Sequence, residues 1–182
     1  MVAPSILAVL AFLALLIGVL AIAGPTASLV EWHMIRLGSC LVKITFILDS
    51  VSLFYSAAVL FISSNVLQFS KFYMKDDIFI NRFTVLVILF VISINLLIFI
   101  PHFIALLLGW DGLGLTSFIL VIYYQNHKSL AAGIITALTN RIGDVIILLA
   151  IAITLNQGHW NILYMWNNPY IVAQAIAILI AA

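Results

Sequence analysis

The chain has 182 residues, 66% hydrophobic and 7% charged, with a formal net charge of +1 and a mean hydropathy of +1.31. A soluble globular domain carries about 25% charged residues, so this composition excludes a soluble fold, and so small a net charge offers no attraction for nucleic acid. The single cysteine, Cys40, excludes a disulfide framework within the chain and a cysteine metal cluster.

An integral membrane protein remains, and its spanning elements are expected to be helices. A transmembrane barrel shows ~10-residue segments of alternating polarity, whereas the apolar runs here are continuous. The fold class expected is all-α: a polytopic transmembrane helix bundle of about six helices, forming a single transmembrane domain over residues 1–182. The first helix covers about 3–23 and is closed by Gly24-Pro25. It superficially resembles a signal peptide, but it lacks the basic n-region and is longer than an h-region of about 7–15 residues. It is therefore read as a retained helix, and it is not an Arg-rich presequence either. Residues 26–49 are the most polar stretch, with Glu31, His33, Arg36, Lys43 and Asp49, and alternation over Leu41–Phe46 suggests a short extended segment outside the lipid.

A second helix is expected over about 51–69, with Ser63, Ser64 and Asn65 able to bond to neighbouring helices. After a charged loop from Ser70 to Arg82, a third helix spans 83–100 and stops at Pro101. The fourth covers about 103–124 and the fifth about 130–155, with the loop Gln125–Ser129 between them. A polar loop carrying His159 leads to a last apolar run, 170–182, of only 13 residues. A spanning helix needs about 20, so the chain is expected to end inside a helix. Lys71, Lys75, Arg82 and Lys128 fall on one side of such a bundle and Arg36 and Lys43 on the other. The excess of basic residues assigns the first side, with the N-terminus, to the cytoplasm or matrix.

Asp111, Arg141 and Asp144 are the ionisable groups well inside the apolar runs. A charge near the bilayer centre costs about 2.5–3.5 kcal/mol on insertion scales, and such residues are usually functional. At ~1.5 Å per residue, Asp111 lies about 12 Å from the start of helix four, and Asp144 roughly 16 Å from the end of helix five on the same membrane side. Helices four and five are antiparallel, so the two carboxylates share nearly one depth if the helices are neighbours. Arg141 and Asp144, three apart, share a helix face, and Thr136 and Asn140 extend it into a polar stripe. Ionised, the trio sums to −1, so either one Asp holds a proton or a cation completes the set.

Two readings fit that arrangement. One is a proton path in which Asp111, Arg141, Asp144, Thr136, Asn140, Ser117 and water pass a proton along. The other is structural: Arg141 and Asp144 form an ion pair, and Asp111 caps a break in helix four made by Gly109, Gly112 and Gly114. The glycines do not form a phosphate loop, because no strand precedes them and no Lys-Ser/Thr follows. His102, His127 and His159 read as interfacial, and no set of them has metal-ligand spacing. Trp160, Trp166, Tyr123 and Tyr124 fit interfacial anchoring, while Trp110 is deeper and is expected to pack against the glycines.

The runs Leu107-Leu108-Gly109-Trp110-Asp111-Gly112-Leu113-Gly114-Leu115, Tyr123-Tyr124-Gln125-Asn126 and Thr139-Asn140-Arg141-Ile142-Gly143-Asp144 closely resemble the chain-5 family of mitochondrial NADH–ubiquinone oxidoreductase (respiratory complex I). Phe61-Ile62-Ser63-Ser64 and Asn81-Arg82-Phe83 match further family positions, and the resemblance covers about residues 46–165. It implies an antiporter-like subunit of the membrane arm that moves a proton with energy released when NADH reduces ubiquinone elsewhere in the complex. It places Asp111 at an acidic position that is Glu in many relatives, and Arg141 and Asp144 at the family's ion-pair positions. It implies partners in the other membrane-arm subunits and the lipid bilayer, in the mitochondrial inner membrane. NADH, FMN, iron–sulfur clusters and ubiquinone would be bound by other subunits, since this chain lacks the Cys clusters and nucleotide motifs that hold such groups.

Two departures accompany the resemblance. The resemblance implies a helix before the first one here, so the chain is expected to lack its true N-terminus or to have a shortened one, and the family's basic partner, a Lys, is expected just beyond Ala182. That Lys would be the cation absent from the charge count. An Mrp-type cation/proton antiporter or membrane-bound hydrogenase subunit shares the implied fold. A non-catalytic membrane scaffold is the alternative of a different class.

Overall fold

The computed structural model describes residues 3–23, 28–37, 40–75, 77, 79–155, 160 and 162. Five helices among them are long and apolar enough to cross a membrane: α1 (Ala3–Ala23), α2 (Ser50–Tyr73), α3 (Ile80–Phe99), α4 (Phe103–Val121) and α5 (His127–Leu155). The chain is a multi-pass membrane protein built as a bundle of helices. Each helix packs on the next in sequence, α1 on α2, α2 on α3, α3 on α4 and α4 on α5. The expected sixth helix, 170–182, lies outside the described residues, as do Gly24-Pro25, His159 and Trp166.

The polar stretch after α1 is more regular than one extended segment. Strands β1 (Ser28–Leu37) and β2 (Cys40–Leu48) form an antiparallel hairpin, from Ser28 opposite Leu48 to Leu37 opposite Cys40, with an irregularity between His33 and Ile35. Lys43 reaches Glu31 across it at 3.5 Å. The sequence expectation held one of the two strands; β1 escaped because Glu31 and His33 make its alternation read as a loop. The hairpin runs directly into α2, where Asp49 is the N-cap. Its carboxylate accepts from Ser50 N at 2.7 Å, and its own N–H donates to Ser52 Oγ at 3.0 Å, a capping box that ends the extended chain and starts the helix.

Helix α2 buries a stripe of small residues, Ser56, Ala57, Ser63, Ser64 and Ser70, with Leu53 and Leu67. Among the described residues Ser63 and Ser64 do not make the expected bonds to neighbouring helices. Ser63 Oγ donates to Leu60 O at 2.9 Å and Ser64 Oγ to Phe61 O at 2.8 Å, on their own helix. Their value lies in size, since small side chains let membrane helices approach closely.

The second through fifth helices depart from the sequence boundaries by a few residues. Helix α2 continues to Tyr73 and α5 begins at His127, while α4 ends at Val121 rather than Tyr124. Tyr123 and Tyr124 instead turn back to the start of α3: Tyr123 Oη donates to Phe79 O at 3.2 Å, and Tyr124 Oη to Asp77 Oδ2 at 2.9 Å. The Tyr123 ring meets Phe83 edge-on at 5.6 Å. This end of the bundle, with Lys71, Lys75, Arg82 and Lys128, is therefore tied together by contacts between α3 and α4.

Candidate functional site

Helix α4 is unbroken through its glycines, which removes the expectation that Asp111 caps a break there. The glycines are contact points instead. A Cβ on Gly109 would stand 2.8 Å from Leu97 Cγ and one on Gly112 2.7 Å from Ser93 Oγ, so both sit against α3. A Cβ on Gly114 would stand 3.0 Å from Asn140 Nδ2, on α5. Helix α4 is thus pressed between α3 and α5, with Asp111 between the two contact lines.

That packing brings the three membrane-embedded charges together. Arg141 Nη1 lies 3.4 Å from Asp144 Oδ2, a hydrogen bond along α5, and 3.7 Å from Asp111 Oδ1 on α4. One guanidinium nitrogen therefore serves two carboxylates on neighbouring helices, at the depth where the residue spacing placed them. Asp144 is 7% exposed, whereas the Arg141 side chain is 68% exposed on the surface of this chain.

The trio borders a cavity of about 120 Å³ lined by Trp110, Asp111, Gly114, Leu115, Phe118, Ala137, Asn140, Arg141 and Asp144. Of the polar residues expected around it, Asn140 lines the cavity; Thr136 does not, and its hydroxyl donates to Gly133 O at 2.8 Å on its own helix. Ser117 likewise donates to Gly114 O at 3.0 Å. Asp111 also borders a second, larger groove of about 550 Å³ between α3 and α4, with Ser93 and Gly112 among its walls. Ser93 was not singled out from the sequence, though a hydroxyl interrupting the apolar run 83–100 was the available signal. Trp110 was assigned packing alone, yet its indole nitrogen is buried at this site without a hydrogen-bond partner among the described residues.

His102 lies apart from the trio. It caps α4, its Nδ1 accepting from Ile104 N at 3.3 Å, and its ring meets Trp160 edge-on at 6.4 Å. Phe103 N donates to Trp160 O at 3.1 Å and Ile162 N to Pro101 O at 3.2 Å, so Trp160 and Ile162 are clasped to the start of α4. Burial holds the His102 imidazole below its ordinary value of 6.5. A lowered value means the folded state resists protonation, so the stability His102 lends is complete above pH 6.5 and is lost as pH falls through the lowered value. Acidification below pH 6.5 is expected to loosen the clasp and shift tryptophan emission to longer wavelength. A His102→Gln protein with the same acid response would remove His102 from that role.

Among the described residues no group of three or more His, Cys, Asp or Glu is placed to hold a metal ion. The site's chemistry rests on carboxylates, one guanidinium and space for water.

Two family descriptions match the chain. "NADH-Ubiquinone oxidoreductase (complex I), chain 5 N-terminus" covers residues 32–84, and "NADH:quinone oxidoreductase/Mrp antiporter, TM" covers residues 100–182. The chain is similar to NADH-ubiquinone oxidoreductase chain 5 of Lumbricus terrestris, 65% identical over 154 residues, which are 85% of this chain and 27% of that protein. It is 48% identical over 157 residues to the chain 5 protein of Anopheles quadriannulatus, 84% of this chain and 59% of the relative. With that of Mytilus edulis it shares 51% over 129 residues, 68% of this chain and 23% of the relative. The chain thus spans less than two thirds of the length of each.

Proposed function

Because the chain belongs to the NADH-ubiquinone oxidoreductase chain 5 family, we propose that it carries part of a proton path in the membrane arm of complex I. There it couples electron transfer from NADH to ubiquinone, carried out elsewhere in the complex, to proton movement across the mitochondrial inner membrane. The chain performs no redox step itself; NADH, FMN, iron–sulfur clusters and ubiquinone belong to other subunits. Its own residues take up, hold and release a proton.

The observation that carries this reading is the sharing of Arg141 by Asp111 and Asp144. A single cation between two carboxylates can compensate only one of them fully. A shift of the guanidinium toward either carboxylate favours ionisation there and protonation of the other. A purely structural pair between Arg141 and Asp144 has no need of a second carboxylate within 4 Å of the same guanidinium nitrogen.

The exposed flank of Arg141 supports membership in a larger body. A charged side chain in mid-span faces a bundle interior or a water-filled cavity rather than lipid. Further segments of the parent protein, or a neighbouring membrane-arm subunit, cover that flank in this proposal. The test is proton uptake per NADH oxidised by the assembled complex in sealed vesicles. Uptake that is indifferent to the removal of the Asp111 carboxyl would return the chain to the scaffold reading.

Orientation is open to a separate check. Lys71, Lys75, Arg82 and Lys128 gather at the end where α2 and α4 finish, and the positive-inside rule assigns that end to the matrix. Lys75, exposed at the end of α2, is expected to react with an impermeant amine reagent in inverted inner-membrane vesicles and to be protected in mitoplasts. Labelling from the intermembrane-space side alone would reverse the orientation.

A further inference from the structure

Two buried side-chain atoms of residues on α4 and α5 lack a hydrogen-bond partner among the described residues: Trp110 Nε1 and Asp144 Oδ1. Both residues line the cavity that the charged trio borders. The indole nitrogen only donates and an ionised carboxylate oxygen only accepts, so the two are complementary to a molecule that does both. Buried polar groups are rarely left unmet, and an ordered water is a common partner. A cavity of about 120 Å³ exceeds the ~30 Å³ that one water occupies in the liquid. A bare metal cation does not fit, because an indole N–H presents its positive end, and a hydronium ion accepts hydrogen bonds poorly. Neutral water satisfies both atoms.

We propose that Trp110 is a positioning residue for proton transfer, its N–H holding one water between Asp144 and Asp111. This rests on the proton-path reading above and adds to it a residue that positions the proton's carrier. The water accepts from Trp110 through one lone pair, which leaves a second lone pair and two hydrogens for the carboxyl groups. When Asp144 carries a proton on Oδ1, that O–H donates to the free lone pair. The proton passes to the water as one of the water's own hydrogens passes to the Asp111 carboxylate. One O–H bond breaks at Asp144, one forms at Asp111, the water is regenerated and no electron changes hands. Arg141, in reach of both carboxyl groups, compensates whichever is ionised. Packing alone needs only a ring of this size at position 110; the buried N–H is what the water explains.

The experiment uses the full-length protein in its assembled complex. A density map of the unaltered complex at a resolution that shows water is expected to place one within about 2.7–3.2 Å of both Trp110 Nε1 and Asp144 Oδ1. Trp110→Phe keeps the ring and removes the donor. It is expected to slow proton transfer through this chain roughly tenfold, the effect of losing one neutral hydrogen bond, with the amount of complex and the KM for NADH unchanged. A map without the bridging water overturns the proposal, and so does normal proton uptake with Phe at 110. The map decides even if Trp110→Phe assembles poorly. Asp111→Asn in the same vesicles separates the two levels: loss with Asn but not with Phe sinks only the role of Trp110, whereas no loss with either sinks the proton path itself.

Discussion

Asp111→Asn, in the full-length protein within its complex, is expected to abolish most proton transfer through this chain while leaving assembly intact. Removing a positioned acid–base group typically costs about 10²–10⁴-fold in rate, and Asn preserves the shape of the side chain without a titratable proton. Asp111→Glu is expected to retain most of the activity, because the acid is kept and only its reach lengthens by one methylene. A purely structural residue ranks the two changes oppositely. Asn could still hydrogen-bond to Arg141, whereas Glu must fit its extra methylene beside Trp110 and the close contact of Gly112 with Ser93. Because α4 runs unbroken past Asp111, capping is no longer available as that structural role. The measurement is proton uptake into vesicles per NADH oxidised, read beside the quantity of assembled complex. Normal uptake with Asn at 111 would end the relay assignment.

Arg141→Leu is expected to damage the protein more than the double change Arg141→Leu with Asp144→Leu. The reason is the burial of Asp144, at 7% exposure. Taking away the guanidinium leaves that buried carboxylate without a compensating cation, and an uncompensated buried charge is strongly destabilising. Removing both partners takes away the buried charge together with its cation and leaves apolar volume, which is often neutral for stability. The double variant should therefore assemble nearly normally and pump poorly, while the single variant assembles poorly. Arg141 also serves Asp111 at 3.7 Å, so recovery in the double variant should fall short of complete until Asp111 is neutralised as well. Equal assembly of the single and double variants would show that Arg141 and Asp144 are not energetically coupled.

The spans and the charged trio were legible because both depend on one-dimensional quantities. Apolar run length locates helices, and residue counts along antiparallel neighbours place Asp111 and Asp144 at one depth. What depends on the direction of a side chain was not legible. Gly109, Gly112 and Gly114 were equally consistent with a helix break, and only the approach of Leu97, Ser93 and Asn140 shows that they are seats for neighbouring helices. Ser63 and Ser64 have the composition of interhelical donors, but a helical serine can always reach the carbonyl three residues back, and here that bond forms. Thr136 shares the stripe of Asn140 and Arg141 by count, yet it falls outside the cavity they line. The hairpin was half visible, since β2 alternates openly and β1 is masked by its own polar residues.

The contacts of Gly114 with Asn140 and of Gly133 with Ile122, where added Cβ atoms would stand 3.0 and 2.6 Å from their neighbours, act as two notches on one seam between α4 and α5. Sliding either helix by a single residue, about 1.5 Å, would drive a larger side chain into a notch. Packed helices of this kind hold one register and shift as a unit. Mechanical work arriving from elsewhere in a larger assembly therefore has little to gain by shearing α4 against α5. The parts free to respond are the Arg141 side chain, suspended 3.4 and 3.7 Å from its two partners, and the solvent beside it. On the proposed proton path the helix pair is a stiff frame, and the switch inside it is a few atoms wide.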